Sequence, residues 1–202
     1  MTRAEFAARL KNACAAVTAA EAELTEIDSK FGDADHGLTM AKIAGAISEA
    51  VDAAEGGIQS MLDDAAMAVM VLNGGSAVPL WNTWLDGLQE EAPEGEEIDV
   101  AGLKAIFAKA LEELEDMSGA KVGDKTMMDA LIPASEAVAA YTGDSADELF
   151  DAAAQAAAQG AEATKQYVSK FGRAKSYGTK TIGTPDAGAV SMSWFFQGLA
   201  RE

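Results

Sequence analysis

Between Asp28 and Gly37 the chain concentrates three carboxylates and its only histidine: Asp28, then Gly32-Asp33-Ala34-Asp35-His36-Gly37. Acids this close repel one another unless cations draw them together. Carboxylate oxygens suit hard ions such as Mg2+, which keep coordination positions open for water or nucleotide phosphates. The segment reads as a metal site, and as a metal–phosphate site where phosphate-facing groups lie nearby. A plainer reading competes with it. Asp caps helices and forms turns well, and His36 taken alone fits an ordinary hydrogen-bonded loop residue. Three aspartates with an intervening glycine and an adjacent histidine exceed what one turn requires.

Other chemistries fail on spacing. In an EF-hand loop beginning at Asp33, the glycine position would fall on Leu38 and the final glutamate on Ala44. Gly183-Thr184-Pro185-Asp186-Ala187-Gly188 has the glycine spacing of a phosphate loop, but Ala189-Val190 stand where Lys and Ser/Thr belong. A Ser–His–Asp hydrolase lacks its nucleophile elbow. Zinc lacks ligands, because Cys14 is the only cysteine and lies far from His36. Cys14 also excludes an intrachain disulfide, and its helical spacing between Leu10 and Val17 marks a buried thiol. Arg173, between Gly172 and Ala174, reads either as an exposed helix-end cation or as a planar fork for phosphate.

These residues need a scaffold, and the periodicity supplies helices from end to end. Thr2 and Glu5 form a capping box ahead of a stripe of Phe6, Leu10, Ala13, Val17 and Leu24. Leu38, Ile43, Ile47 and Val51 make a second stripe; Ile58, Leu62, Ala66 and Val69 make a third. Leu80–Leu88 follows, then a helix capped by Asp99, one through Met127, Leu131 and Val138, one opened by a Ser145–Glu148 box, and a last bearing Val190, Trp194 and Leu199. Trp81, Trp84 and Trp194 are assigned to core packing. No segment alternates with period two, so the class is all-α, about eight helices in a single domain over residues 1–202. The departures at 28–37, 73–79, 118–125 and 172–188 are separated by even numbers of helices, so in an up-and-down bundle they meet at one end.

At 202 residues, 49% hydrophobic and 24% charged, the chain has the composition of a globular protein with one sizeable core. A net charge of −18 argues against binding a nucleic-acid backbone or an anionic membrane. No apolar run suits a signal peptide or a transmembrane helix, so a soluble, cytoplasmic chain is expected.

The loops also carry a resemblance. GDADHG at 32–37, GDKTM at 123–127, GRA at 172–174 and IGTPDAGA at 182–189 resemble, in the same order, the nucleotide-binding L subunit of dihydroxyacetone kinases. The resemblance implies an eight-helix antiparallel up-and-down barrel with ADP or ATP at one end. It implies two Mg2+ ions held by Asp28, Asp33 and Asp35, with His36, Gly37, Leu38 and Thr39 facing the phosphates. Gly75, Ser76, Ala77 and Arg173 would join them. Gly119, Thr126 and Met127 would border the adenosine, and Asp186, Ala187 and Gly188 would cap it. Two departures stand out. The family's GGASGP turn is here Gly74-Gly75-Ser76-Ala77-Val78-Pro79, where Val78 would resist a positive φ. The family's His-x-Asp-Pro-Gly pattern becomes Thr184-Pro185-Asp186-Ala187-Gly188. They leave the metal ligands untouched and point to a different short sugar.

The implied activity is transfer of phosphate from metal-bound nucleotide to a hydroxyl of dihydroxyacetone or a related short ketose. The ketose would be held by a separate K subunit, leaving this chain incomplete alone. ADP would either stay bound and be recharged by a phosphohistidine protein of the phosphotransferase system, or give way to exchanging ATP. The alternatives are a nucleotide-loaded sensor that docks on a regulator and a Mg2+-dependent hydrolase; a homodimer is left open.

Overall fold

The computed structural model describes residues 1–201, and among them apolar spacing generates nine α-helices. They are α1 (Arg3–Ala19), α2 (Glu21–Ser29), α3 (His36–Ala53), α4 (Ile58–Met70), α5 (Ala77–Glu90), α6 (Val100–Ser118), α7 (Met128–Ala140), α8 (Ala146–Ala163) and α9 (Ala187–Leu199). Two 3-10 segments, Thr164–Gln166 and Arg173–Thr181, occupy the α8–α9 connection. No described helix is long and apolar enough to cross a membrane.

Helix α1 packs on α3 and α9, and each helix from α3 to α8 packs on the next in the chain. Eight helices thus close into a ring in chain order, the expected barrel. Short connections make neighbours antiparallel, and even the long α8–α9 connection returns to its start: Asp186 N–H donates to Thr164 Oγ1 at 2.9 Å. The α2–α3, α4–α5, α6–α7 and α8–α9 connections therefore share one end. The interior is filled by Trp81, Trp84, Phe107, Phe150, Phe195 and Phe196, all essentially inaccessible. Trp84 meets Trp81 and Phe195 edge-on, with centroids 5.6 and 5.4 Å apart, a geometry favoured by the ring quadrupoles. A filled barrel leaves its end as the place for a ligand.

Four expectations change in detail. The Phe6–Leu24 stripe is two helices, because at Ala20 (ψ 3°) the N–H is shared between Ala16 O and Val17 O, tightening the turn. Helix α2 then leans on α3 and α9. Leu38 leaves its stripe: it is 50% exposed, while Met40 points inward. Trp194 is only half-buried, and its Nε1–H donates to Glu23 at 2.9 Å, tying α9 to α2. The Thr2–Glu5 box forms in both directions, but the Ser145–Glu148 box forms in one. Glu148 N–H donates to Ser145 Oγ at 3.3 Å, whereas the Glu148 carboxylate accepts the Tyr141 hydroxyl at 2.7 Å.

Candidate functional site

Past α2 the chain folds back at once, with Gly32 N–H donating to Asp28 O at 2.7 Å. Glycine is required there: a Cβ on Gly32 would lie 2.6 Å from Asp28 Cγ and closer still to Oδ1. Ala34, between Asp33 and Asp35, sits in the left-handed region at φ 61°, uncommon for a residue with a Cβ. Asp28 Oδ2 accepts the Asp35 N–H at 3.2 Å. Asp35 precedes α3 as its cap residue, yet its side chain makes no capping bond. Turn formation thus accounts for part of Asp28 and for none of the Asp35 carboxylate.

One oxygen from each of Asp28, Asp33 and Asp35 lies within 4.8 Å of the other two. Desolvation, followed by the charges of Asp33 and Asp28, holds the Asp35 carboxyl above the ordinary range, against the opposing pull of Arg173. The Arg173 guanidinium reaches Asp33 Oδ2 at 2.6 Å. An all-oxygen, multiply charged donor set of this kind fits a hard divalent cation such as Mg2+, whose charge would relieve the repulsion.

These residues form one wall of a cavity of about 530 Å3 at the end of the barrel. Of the residues expected from sequence, Asp28, Asp33, Asp35, His36, Thr39, Gly75, Ser76, Ala77, Thr126, Met127, Arg173, Asp186, Ala187 and Gly188 all line it. Gly37, Leu38 and Gly119 do not. Gly37 is pressed against α2, where a Cβ would come within 2.9 Å of Thr25 N. Leu38 faces outward. Gly119 ends α6 in the left-handed region (φ 63°), between the lining residues Ser118 and Ala120. The 74–78 turn contains no positive φ, and Val78 is a buried position of α5, so valine meets no backbone penalty there.

His36 Nε2 lies 3.1 Å from Ser191 Oγ, which donates to Gly188 O at 2.9 Å. Burial lowers the pKa of the imidazole ring from its ordinary value, against the opposing charge of Asp28. The ring ties the acidic loop to the start of α9. Phe31 and Tyr177 make a second tie, with ring centroids 5.1 Å apart.

Sequence reasoning named Asp186 but missed Lys125 and Asp129, two buried charged groups at the base of the site. Lys125 is 4% exposed, and its ammonium donates to Thr164 O, Thr181 O and Thr184 O at 2.6, 2.9 and 2.5 Å. Asp129, 1% exposed, shapes the preceding loop by accepting Gly123 N–H and Thr126 N–H at 2.6 and 2.7 Å. Asp186 caps α9 through Ala189 N–H at 2.8 Å, and burial pushes its carboxyl up to about 7. The only signal in sequence was the Asp124-Lys125 pair inside GDKTM, and nothing local shows what the lysine reaches.

A profile of the DAK2 domain matches residues 30–201. The chain belongs to the DAK2-domain family. This DAK2 domain is 36% identical over 204 residues to L-erythrulose kinase of Pectobacterium atrosepticum, covering 96% of the chain and 34% of that protein. It is 36% identical over 196 residues to D-erythrulose kinase of Mycolicibacterium smegmatis, covering 94% and 34% respectively. The chain thus spans about a third of the length of these relatives. The ADP-binding subunit DhaL of the PEP-dependent dihydroxyacetone kinase of Escherichia coli is 29% identical over 191 residues, with 93% of the chain and 91% of that subunit covered. The dihydroxyacetone kinase from C. freundii, solved with AMP-PNP and Mg2+, superposes at a TM-score of 0.73 and 25% identity, covering 98% of this chain and 33% of that one. The DAK2 domain here is of the DhaL type, and its relatives are phosphotransferases of the dihydroxyacetone-kinase type.

Proposed function

We propose that this chain is the nucleotide-binding part of a short-ketose kinase. It would hold ADP or ATP through two Mg2+ ions on Asp28, Asp33 and Asp35, and pass phosphate to a hydroxyl of a ketose held by a K subunit or domain. The observation that carries this reading is the convergence of the three carboxylates on the wall of a nucleotide-sized cavity. Charge supports it: about −3 from the carboxylates and about −3 from ADP oppose binding until two divalent ions return about +4. Bound Mg2+ would neutralise phosphate charge, which phosphoryl transfer needs more than covalent help from the protein. Around it Arg173 supplies a planar fork for phosphate, His36 and Thr39 face the same space, and the Gly75–Ala77 turn closes one side. Met127 and Asp186–Gly188 would enclose the adenosine.

A partner at this end is supported by the surface. Leu38, Met70, Val71 and Met117 are exposed at or beside the ends of α3, α4 and α6 that meet the cavity-end connections, and Phe171 and Ile182 are exposed in the α8–α9 connection. An apolar rim around a polar site marks a protein–protein contact. The likeness to erythrulose kinases directs the acceptor toward four-carbon ketoses, with dihydroxyacetone as the three-carbon alternative. The test mixes the chain with a K-type partner, erythrulose and dihydroxyacetone, and either ATP or a phosphohistidine relay, with sugar phosphate read by phosphorus NMR. Phosphorylation that needs both proteins supports the proposal. Intact nucleotide binding without phosphorylation by any K-type partner would replace it with a nucleotide-loaded sensor. Slow release of ADP through gel filtration would assign the relay mode over free ATP exchange.

A further inference from the structure

Lys125 is an unusual residue in an unusual conformation. Its backbone is left-handed at φ 62°, and the chain around it offers glycines for that role, yet a lysine occupies it. Such strain persists only where the surroundings enforce it. Among the described residues its ammonium has no carboxylate within ion-pair distance; all three of its partners are carbonyls of one segment, Thr164, Thr181 and Thr184. That segment, 164–186, is the cavity wall that carries Ser169, Arg173 and Asp186. Burying a charge on neutral acceptors alone is expensive unless every proton is satisfied, and an ammonium has three donors for three carbonyls.

We infer that Lys125 is a positioning residue: it clamps the 164–186 strap in the shape that makes it a wall of the nucleotide cavity. The inference rests on the reading of this cavity as a nucleotide site. One carbonyl falls at the start of the strap (Thr164) and two near its end (Thr181 and Thr184), so one ammonium pins the two ends of the strap together. Neighbouring links register the same alignment. Lys170 N–H donates to Asp124 O at 3.1 Å, and Lys170 Nζ meets Asp124 Oδ1 at 2.6 Å. Within the strap, Gly183 N–H donates to Lys165 O at 2.7 Å and Ser169 N–H to Thr181 Oγ1 at 3.1 Å. Lys125 touches neither the acidic loop nor Arg173 directly; it acts on Arg173 and Asp186 through the backbone between them. The strap has the charge to matter: between Ala163 and Pro185 it carries Lys165, Lys170, Arg173, Lys175 and Lys180 and no acid, in a chain of net charge −18.

The test compares wild type with Lys125→Met, which keeps the stem and removes the ammonium, and with Lys125→Gly, which also relieves the left-handed φ. A backbone role alone predicts that Lys125→Gly is harmless. The clamp predicts that both variants bind MgADP about tenfold to a hundredfold more weakly, the loss expected for charge-assisted hydrogen bonds. Hydrogen exchange supplies the readout that a general loss of stability would not give. The amides of Ser169, Lys170, Gly183 and Asp186 should be protected in the nucleotide-free wild type. In the variants they should exchange faster, while Gly102 at the opposite end stays unchanged. Binding within twofold of wild type by either variant, with the strap still protected, overturns the inference. If neither variant folds, Lys125→Gln, which keeps N–H donors but removes the charge, is read by the same two measurements with the same outcomes. Failure of the wild type to bind MgADP would overturn the nucleotide reading instead, and the exchange pattern would still judge the clamp.

Discussion

Replacing Gly32 by alanine isolates the geometry of the acidic trio from its charge. Gly32 is not among the residues with positive φ, so alanine meets no backbone penalty and the effect falls on its neighbour. The added Cβ would lie 2.6 Å from Asp28 Cγ, where ordinary contact begins at 3.4 Å. Asp28 and Gly32 sit in a half-buried turn where the Asp28 side chain is the part free to move, so its carboxylate must retreat by about 0.8 Å or more. Mg2+ holds its oxygens at roughly 2.0–2.1 Å in near-ideal octahedral geometry, so a ligand displaced that far leaves the coordination range. We expect Mg2+-dependent ADP affinity to fall at least about tenfold to a hundredfold, the range seen when even supporting groups around a metal are removed. Titration calorimetry with ADP at fixed Mg2+ measures it directly. Gly45→Ala is the control, because Gly45 lies outside the cavity and its Cβ would meet nothing within 4 Å. Wild-type affinity in Gly32→Ala, with the fold intact by circular dichroism, would refute the assignment of Asp28 as a ligand.

Arg173→Ala should leave the nucleotide-free protein within ~0.5 kcal/mol of wild type by denaturant melts, because its ion pair with Asp33 is exposed. MgADP binding should weaken about tenfold through the lost phosphate fork. Asp186 carries a pH signature: its folded pKa of about 7 lies above that of an ordinary aspartate, so its contribution to stability is complete below the unfolded pKa and is lost as pH rises through 7. Between pH 4.5 and 8 the wild type should therefore lose stability relative to Asp186→Asn by on the order of a few kcal/mol, read from paired urea melts. A constant difference would remove the buried carboxyl from the account. Gly87→Ala should destabilise the barrel by about 1–3 kcal/mol without altering the site, because its Cβ would lie 2.6 Å from Ala110 Cα across the α5–α6 contact; thermal unfolding measures it.

The helices were legible because their signals are local. The apolar spacing, the Thr2–Glu5 box and the Asp99 cap each involve residues within one or two turns, and all appear in the structure. So does the common end of the four loops, which follows from counting helices. What escaped depends on distant partners. Ala20 bears no helix-breaking side chain, and the change in path there comes from how α2 packs on α3 and α9. Glu148 is drawn from its cap by Tyr141. Trp194 looks like core by type, and its surface position follows from Glu23, remote in sequence. Lys125 is the clearest case: a lysine in a polar loop reads as solvated, and only the fold brings three carbonyls to it from 39 to 59 residues away. The acidic trio was legible for the opposite reason, since its three members lie within eight residues of sequence.

The central claim is that the trio holds nucleotide through divalent cations. Calorimetric titration of the wild-type chain with ADP, in Mg2+ and then in excess chelator, tests it most directly. The account predicts saturable binding with Mg2+ that disappears with chelator and is abolished by Asp33→Asn paired with Asp35→Asn. Binding of equal strength without metal would contradict it.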